Sequence, residues 1–368
     1  MNDIYKNVGN ELKLFKLLNK EGVEIKKIKF SIKKNKIIFI IIENLDIQFK
    51  FYEKNDMLQY NILKHKGFNV EIVKIKLQTV KSFYVTNLLE QIVFNKNDIY
   101  VISDVFYNIL LTYYIQVKNR REELINILKK TNYVFLSSEL IKDETLKITG
   151  CVLNDFKFTK KFMKYAILNY FMNLKNINYL LNVNLYNYVY YPPFGYSEIN
   201  NIKELEQNTE KSIDVLFYGN NPIINGVYMC SYRNEILNKL KEHCENKKIN
   251  FVCLEKVFDK DEYLKNTKIV LQIPNYKHFH SFPWAKVSEL MAKKIFFIIE
   301  ENEEMYVQEL DKLVVYYKRD DFNNLCELIS YYIKNEHERN IKIEKCYKFI
   351  KKNYNIDENH ILTKIFNE

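Results

Sequence analysis

Glycine, proline, arginine and long apolar runs are all scarce in this sequence. Seven glycines and five prolines serve 368 residues, and no glycine follows Gly226. That poverty excludes a collagen-like or Gly/Pro-rich low-complexity chain. The longest strictly apolar run, "IIFIII" (37–42), falls far short of the roughly 20 residues a bilayer span needs. The start, "MNDIYKNVGN", lacks the basic and apolar blocks of a secretory leader, so the expected compartment is a cytoplasm, its own or a host's. Six cysteines (151, 230, 244, 253, 326, 346) form no CxxC pair and no even framework, and six histidines give no HExxH or Cys/His cluster. Zinc and disulfide scaffolds are therefore not expected, and the cysteines read as reduced core residues.

The formal net charge is +10, yet only five of the 56 basic residues are arginine. A nucleic-acid binder draws on arginine for bidentate contacts to phosphate and guanine. The lysines are also interspersed with 46 acids, which describes a solvated surface rather than a nucleic-acid stripe. What is abundant is apolar and aromatic: 47% hydrophobic and 15% aromatic residues supply enough core for two domains.

The punctuation is uneven. All five prolines (192, 193, 222, 274, 283) fall between 192 and 283, and "YYPPFGYSEINN" (190–201) concentrates two of them with a glycine. Fixed φ at proline and freedom at glycine make residues 192–210 the expected linker. The division is then an N-terminal domain over 1–191, a C-terminal domain over 211–345 and a helical, basic tail over 346–368.

In the C-terminal half, short apolar runs alternate with helical patterns. Strands are expected at 213–219, 249–255, 268–274, 295–301 and 312–317. Helices are expected at 231–247, in "FDKDEYLKNT", at 283–294, and in one piece through "RDDFNNLCELISYYIKNEHERN". That alternation predicts a parallel sheet covered on both faces. The first half is less regular. Residues 23–52 read as three adjacent strands, further strands are expected at 68–76, 98–104 and 133–139, and 158–182 reads as one long helix or two.

Gly219 ends the first strand of the second half, in "DVLFYGNN" (214–221), where loops of a doubly wound sheet meet their ligands. A residue without Cβ allows close approach and a sharp turn there. Ser231 and Arg233 follow where the next helix begins, and free amides with a guanidinium suit a diphosphate. A plain strand-to-loop turn is the other reading. In "HSFPWAKVSELMAKK" (280–294), Lys286 and Glu289 stand i and i+3 on one helical face. They suit a phosphate and a ribose, or form an ordinary exposed ion pair. His278 and His280, at another strand end, either contact a ligand or are loop histidines. Trp284 reads as helix packing. "DKDE" (259–262) reads as a capping acid run at a helix start rather than a metal-binding triplet.

These segments in this order, "DVLFYG", a helix with an arginine, "KNTKIVLQIPNY" and "KVSELMAKKIFFIIEE", resemble the C-terminal module of GT-B glycosyltransferases. The branch most similar is that of the spore-maturation glycosyltransferases. "VYYPPFGYSEI" is similar to the hinge of the same proteins, and "YVFLSSE" (133–139) to a strand end in their N-terminal halves. The resemblance covers roughly 185–350. It implies an α/β chain of two Rossmann-like domains facing across a cleft. It further implies transfer of a sugar from a nucleotide-diphosphate donor, most simply a UDP-sugar, to a glycan, protein or small acceptor. No cofactor or bound metal is implied, because a helix dipole and basic side chains stabilise the leaving diphosphate. Carried over, Gly219 and Asn220 line the phosphates, Arg233 is a phosphate ligand, and Glu289 matches the ribose-binding glutamate. Lys286 stands where relatives often have arginine, and His280 and Ser281 fall on the donor side. Ser281 occupies the place of the first glutamate of retaining members, and Lys294 that of a usual glycine, which leaves stereochemistry open. An inverting transfer needs a base in the N-terminal half, for which Asp104 and then Glu139 are the candidates, each also readable as a cap or a surface acid. A non-catalytic binding or assembly module and a nucleic-acid binder are the rival readings. Oligomeric state is left open.

Overall fold

A computed structural model describes residues 35–43, 50–76, 79–80, 83–84, 92–111, 121–137, 156–171, 185, 187–190, 195–219, 223–224, 227–228, 231–254, 260–274, 282–307 and 309–362. They fall into two units. One holds the described residues of 35–190 with 198–201 and 356–362, the other 195–197 with 202–355.

In the first unit a six-stranded parallel sheet is formed by β1 (Ile37–Glu43), β2 (Val70–Lys76), β3 (Ile99–Ser103), β4 (Asn132–Ser137), β5 (Leu168–Phe171) and β6 (Tyr188–Tyr190). The spatial order is β2-β1-β3-β4-β5-β6. Ile37, Phe39 and Ile41 pack on one face with Leu63, Ile361 and Leu362, while Ile38, Ile40 and Ile42 are buried on the other. A strand covered on both faces carries an unbroken apolar run, which is why "IIFIII" reads as it does. Helices α1 (Lys50–His65), α2 (Asp104–Leu111), α3 (Arg121–Lys130) and α4 (Phe156–Tyr165) accompany this sheet. The final described residues are tied to α1, where Gln59 Oε1 accepts from the Ile361 amide at 3.0 Å.

The three strands expected over 23–52 are not what forms. One strand, β1, occupies its middle and pairs in parallel with β2 and β3, and from Lys50 the chain is helical. Residues 23–34 and 44–49 lie outside the described set. The helix expected over 158–182 ends at Tyr165, after which Leu168–Phe171 enters the sheet between β4 and β6. A short apolar run buried on all sides carries no period that separates strand from helix.

The second unit has a five-stranded parallel sheet of β7 (Ile213–Tyr218), β8 (Phe251–Leu254), β9 (Thr267–Gln272), β10 (Phe297–Glu300) and β11 (Val315–Tyr317), in the order β8-β7-β9-β10-β11. Its helices are α5 (Ser231–Lys247), α6 (Asp261–Lys265), α7 (Trp284–Ala292), α8 (Glu303–Val307), α9 (Phe322–Lys334) and α10 (Glu336–Asn353). Ile236, Leu237 and Leu240 of α5 and Leu325 and Ile329 of α9 cover Val215, Phe217, Ile269 and Leu271. The expected single helix from 319 breaks at Asn335, which closes α9 and opens α10. The tail's residues 346–353 are thus the second half of α10, and the described residues from 354 on are not helical. Cys244, Cys326 and Cys346 are buried free thiols, but Cys253 is exposed, against the expectation of core placement. Among the described residues no helix is long and apolar enough to cross a membrane.

At Lys294, just beyond α7, φ is +56°, a conformation that suits glycine. The side chain pairs with Glu204 and Glu344, each at 2.9 Å, and lies 4.5 Å from the centroid of Tyr347. Those contacts offset the backbone cost of lysine at a glycine-like position.

Candidate donor-diphosphate site

In a parallel sheet the carboxyl ends of the strands share one edge, and the helices that follow begin there. At this edge β7 delivers Phe217, Tyr218 and Gly219. The Gly219 amide donates to the Leu254 carbonyl at the end of β8, 3.2 Å away. A Cβ on Gly219 would stand 3.1 Å from Phe217 Cζ and 3.6 Å from Arg233 Nη1. The glycine therefore spares a tight contact with the Phe217 ring, while the guanidinium would stand at ordinary van der Waals distance.

Arg233 is the third residue of α5. Its Nε and Nη2 both donate to the Ile273 carbonyl, at 3.0 and 2.8 Å, just past β9. That clamp lays the guanidinium 5.4 Å from the ring centroid of Phe217. Lys286, in the first turn of α7, donates to the Tyr218 carbonyl, and its Nζ is 3.7 Å from the Tyr218 centroid and 5.4 Å from that of Phe217. Lys260, immediately before α6, brings a third cation to 5.1 Å from the Tyr218 centroid. Three cationic side chains from three segments thus gather over two adjacent rings at one strand tip.

Their electrostatics are strained in one direction. Burial pushes the Lys286 amine well below the usual lysine range, Arg233 and Lys260 push it further, and Glu289 pulls it back. Burial, followed by Glu289 and Asp261, raises the Tyr218 phenol well above its ordinary value, so it stays neutral. An anion placed among the cations relieves this crowding.

Glu289 is only 4% exposed, so the exposed i,i+3 pair with Lys286 does not form. Its Oε2 meets Lys260 at 2.7 Å and its Oε1 meets Lys293 at 3.0 Å. Lys293 also pairs with Asp261 at 2.6 Å. The N-cap position of α6 is Lys260, which makes no side-chain cap, so the acid run is seen there as the Asp261–Lys293 ion pair; Asp259 lies outside the described residues. Among the described residues no group of three His, Cys, Asp or Glu is placed to hold a metal ion.

Two neighbouring carboxylates escaped sequence reasoning. Glu304, 2% exposed, accepts from Trp284 Nε1 at 2.9 Å and from the Phe282 amide at 3.3 Å, fixing the start of α7. Trp284 packs against Phe282 and Tyr354, as helix packing requires. Glu300, at the tip of β10, accepts from the Tyr232 and Tyr317 hydroxyls, and burial raises its pKa. Neither acid has a sequence signal beyond its place after a strand.

In the first unit Asp104 opens α2 directly after β3 and is 1% exposed, so it is not a surface acid. Asp56 of α1 is buried nearby. Burial pushes Asp56 well above the carboxylate range, Asp104 and Glu53 add to the rise, and a hydrogen bond with Ser103 opposes it. Asn220, His278, His280, Ser281 and Glu139 lie outside the described residues.

No protein-family model matches the sequence, and no curated protein matches it. Solved structures do. The sucrose-phosphate synthase of Thermosynechococcus elongatus is 8% identical, with 88% of this chain and 96% of that chain covered and a TM-score of 0.53. T4 phage β-glucosyltransferase, in complex with its UDP-glucose substrate, is 12% identical, with 90% and 100% covered and a TM-score of 0.50. Likeness at such identity speaks for architecture: this is an α/β chain of two parallel, Rossmann-like sheets with the GT-B fold.

Proposed function

We propose that the chain is a glycosyltransferase that takes a sugar from a nucleotide-diphosphate donor held at the strand tips of the second unit. One observation carries the reading: Arg233, Lys286 and Lys260 converge beside Gly219 over Phe217 and Tyr218. Within the GT-B fold this edge is where a nucleotide would dock, and the segment order through 301 supports the spore-maturation branch as the nearest subgroup. A UDP-sugar is the preferred donor, since T4 phage β-glucosyltransferase takes UDP-glucose.

In transfer, the acceptor hydroxyl forms a bond to the anomeric carbon while the bond from that carbon to the diphosphate oxygen breaks. The electron pair leaves with the diphosphate, where Arg233 and Lys286 stabilise the growing charge without need of a metal ion. By the resemblance, Asn220, His280 and Ser281 are donor-side residues, and Glu289 is the acceptor for the ribose. Asp104, or Glu139, takes the acceptor proton. The acceptor is a glycan, a protein or a small molecule.

The test is acceptor-independent hydrolysis and binding of UDP-, GDP-, dTDP- and CMP-sugars by the full chain. Turnover of one donor, lost in Asp104→Asn but with binding retained, supports the reading. Tight binding with no turnover, whatever acceptor is supplied, would instead make the protein a binding module.

A further inference from the structure

Within the site just proposed, the geometry around Lys286 decides the charge of its amine. The hydrogen bond it makes goes to a neutral acceptor, the Tyr218 carbonyl. Arg233 reaches the Phe217 ring from α5, and Lys260 reaches the Tyr218 ring from the segment before α6. The one carboxylate close to Lys286 on its own helix, Glu289, is engaged by Lys260 and Lys293, and Lys293 is shared with Asp261. Tyr218, beneath the amine, is a neutral phenol. Among the described residues, no carboxylate lies within ion-pair distance of Lys286. Among the described residues, Nζ shares the strand tip with two other cations. The carbonyl and the ring faces favour its charged form, but burial, Arg233 and Lys260 outweigh them and lower its pKa.

We propose that Lys286 is a proton-coupled phosphate ligand: the empty site holds a neutral amine, and an arriving diphosphate draws a proton from solvent onto Nζ. The proposal rests on reading this edge as a diphosphate site. The phosphate oxygens reverse the local sign of charge, so the ammonium becomes the favoured form only when they are present. The bound state then has a charged N–H donor on the phosphate, and no covalent bond changes. Linkage fixes the sign. Binding that takes up a proton weakens as pH rises, by up to about tenfold per unit between the amine's free and bound pKa values. The donor would thus be released more readily in alkaline medium, an effect of this lysine that a permanently charged guanidinium would not give.

The experiment is calorimetric titration of the full chain with UDP, in HEPES and in Tris, from pH 7 to 9.5. Above about pH 8 the terminal phosphate of UDP is fully ionised and contributes no proton of its own. The expected result is a binding enthalpy that differs between the two buffers in the sense of proton uptake, with affinity falling as pH rises. Lys286→Arg should bind UDP with a buffer-independent enthalpy and a flat pH profile. Lys286→Met should lose affinity at pH 7 and converge on wild type at high pH. UDP binding by wild type with equal enthalpy in both buffers and no pH slope would overturn the proposal, as would proton uptake that survives in Lys286→Arg. Absence of any UDP binding would instead overturn the diphosphate site itself.

Discussion

Replacing Arg233 with alanine should separate the contribution of one guanidinium to folding from its contribution to binding. In the folded chain its Nε and Nη2 clamp the Ile273 carbonyl at 3.0 and 2.8 Å and hold the group against Phe217. Removing it leaves that carbonyl unmatched at a half-buried strand end, a loss of about 1–3 kcal/mol in stability. A charged hydrogen bond to phosphate is worth about 1.5–3 kcal/mol, so the Kd for UDP should rise about 10- to 150-fold. Arg233→Lys keeps the charge but has no planar fork to span the carbonyl and a phosphate together, and should fall between wild type and alanine. Calorimetry with UDP gives the affinity, after circular dichroism and urea unfolding show how much folded protein each variant retains. Folded Arg233→Ala and Arg233→Lys proteins that bind UDP within about twofold of wild type would refute the reasoning.

Three further outcomes are expected. Lys294 adopts φ +56° yet makes two ion pairs and a ring contact. Lys294→Ala, which keeps the strain and loses the contacts, should lower the urea midpoint by the equivalent of about 1–2 kcal/mol, whereas in Lys294→Gly the relief of about 1 kcal/mol should nearly cancel that loss. His360 is buried with its pKa lowered to about 4, chiefly by burial and secondarily by Lys66, and its Nδ1 accepts from the Leu362 amide at 3.3 Å. Neutral histidine is the native form, so its contribution is complete above pH 6.5 and is lost as pH falls from 6.5 towards 4, by up to about 3 kcal/mol; urea midpoints across that window should decline less in His360→Asn. Glu304→Ala should strip the Trp284 indole of its acceptor, shift the emission of the single tryptophan to the red and destabilise the chain by about 1–3 kcal/mol.

Much of the second unit was legible because its strands are short apolar runs separated by helices with clear spacing. Ile236, Leu237 and Leu240 read as a buried helical face, and they are one. The exceptions share a cause. Leu168–Phe171 follows the helix with no glycine or proline between them, so nothing local marks where the backbone changes from one conformation to the other. The expected strand at 312–317 forms only over its second half, β11; Lys312 still belongs to a 3-10 turn, Leu310–Lys312, and residues 313–314 are a turn and a bend. For the candidate site, Gly219 and Arg233 were singled out by position at a strand end and a helix start, and Lys286 and Glu289 by their i,i+3 spacing and the resemblance. Lys260 was not, since a lysine inside "KVFDKDEYLK" looks like any solvated charge, and only the parallel register that sets β8 beside β7 brings its segment to Tyr218. Pairings such as Glu289 with Lys260, 29 residues apart, are products of tertiary packing that sequence spacing does not encode.

The most direct measurement is a crystal structure of the full chain grown with UDP. The account predicts diphosphate density at the tip of β7, with Arg233 and Lys286 within hydrogen-bond distance of phosphate oxygens and Gly219 alongside. Saturating UDP whose phosphates lie elsewhere, with Arg233 and Lys286 still bonded to the carbonyls of Ile273 and Tyr218, would contradict it.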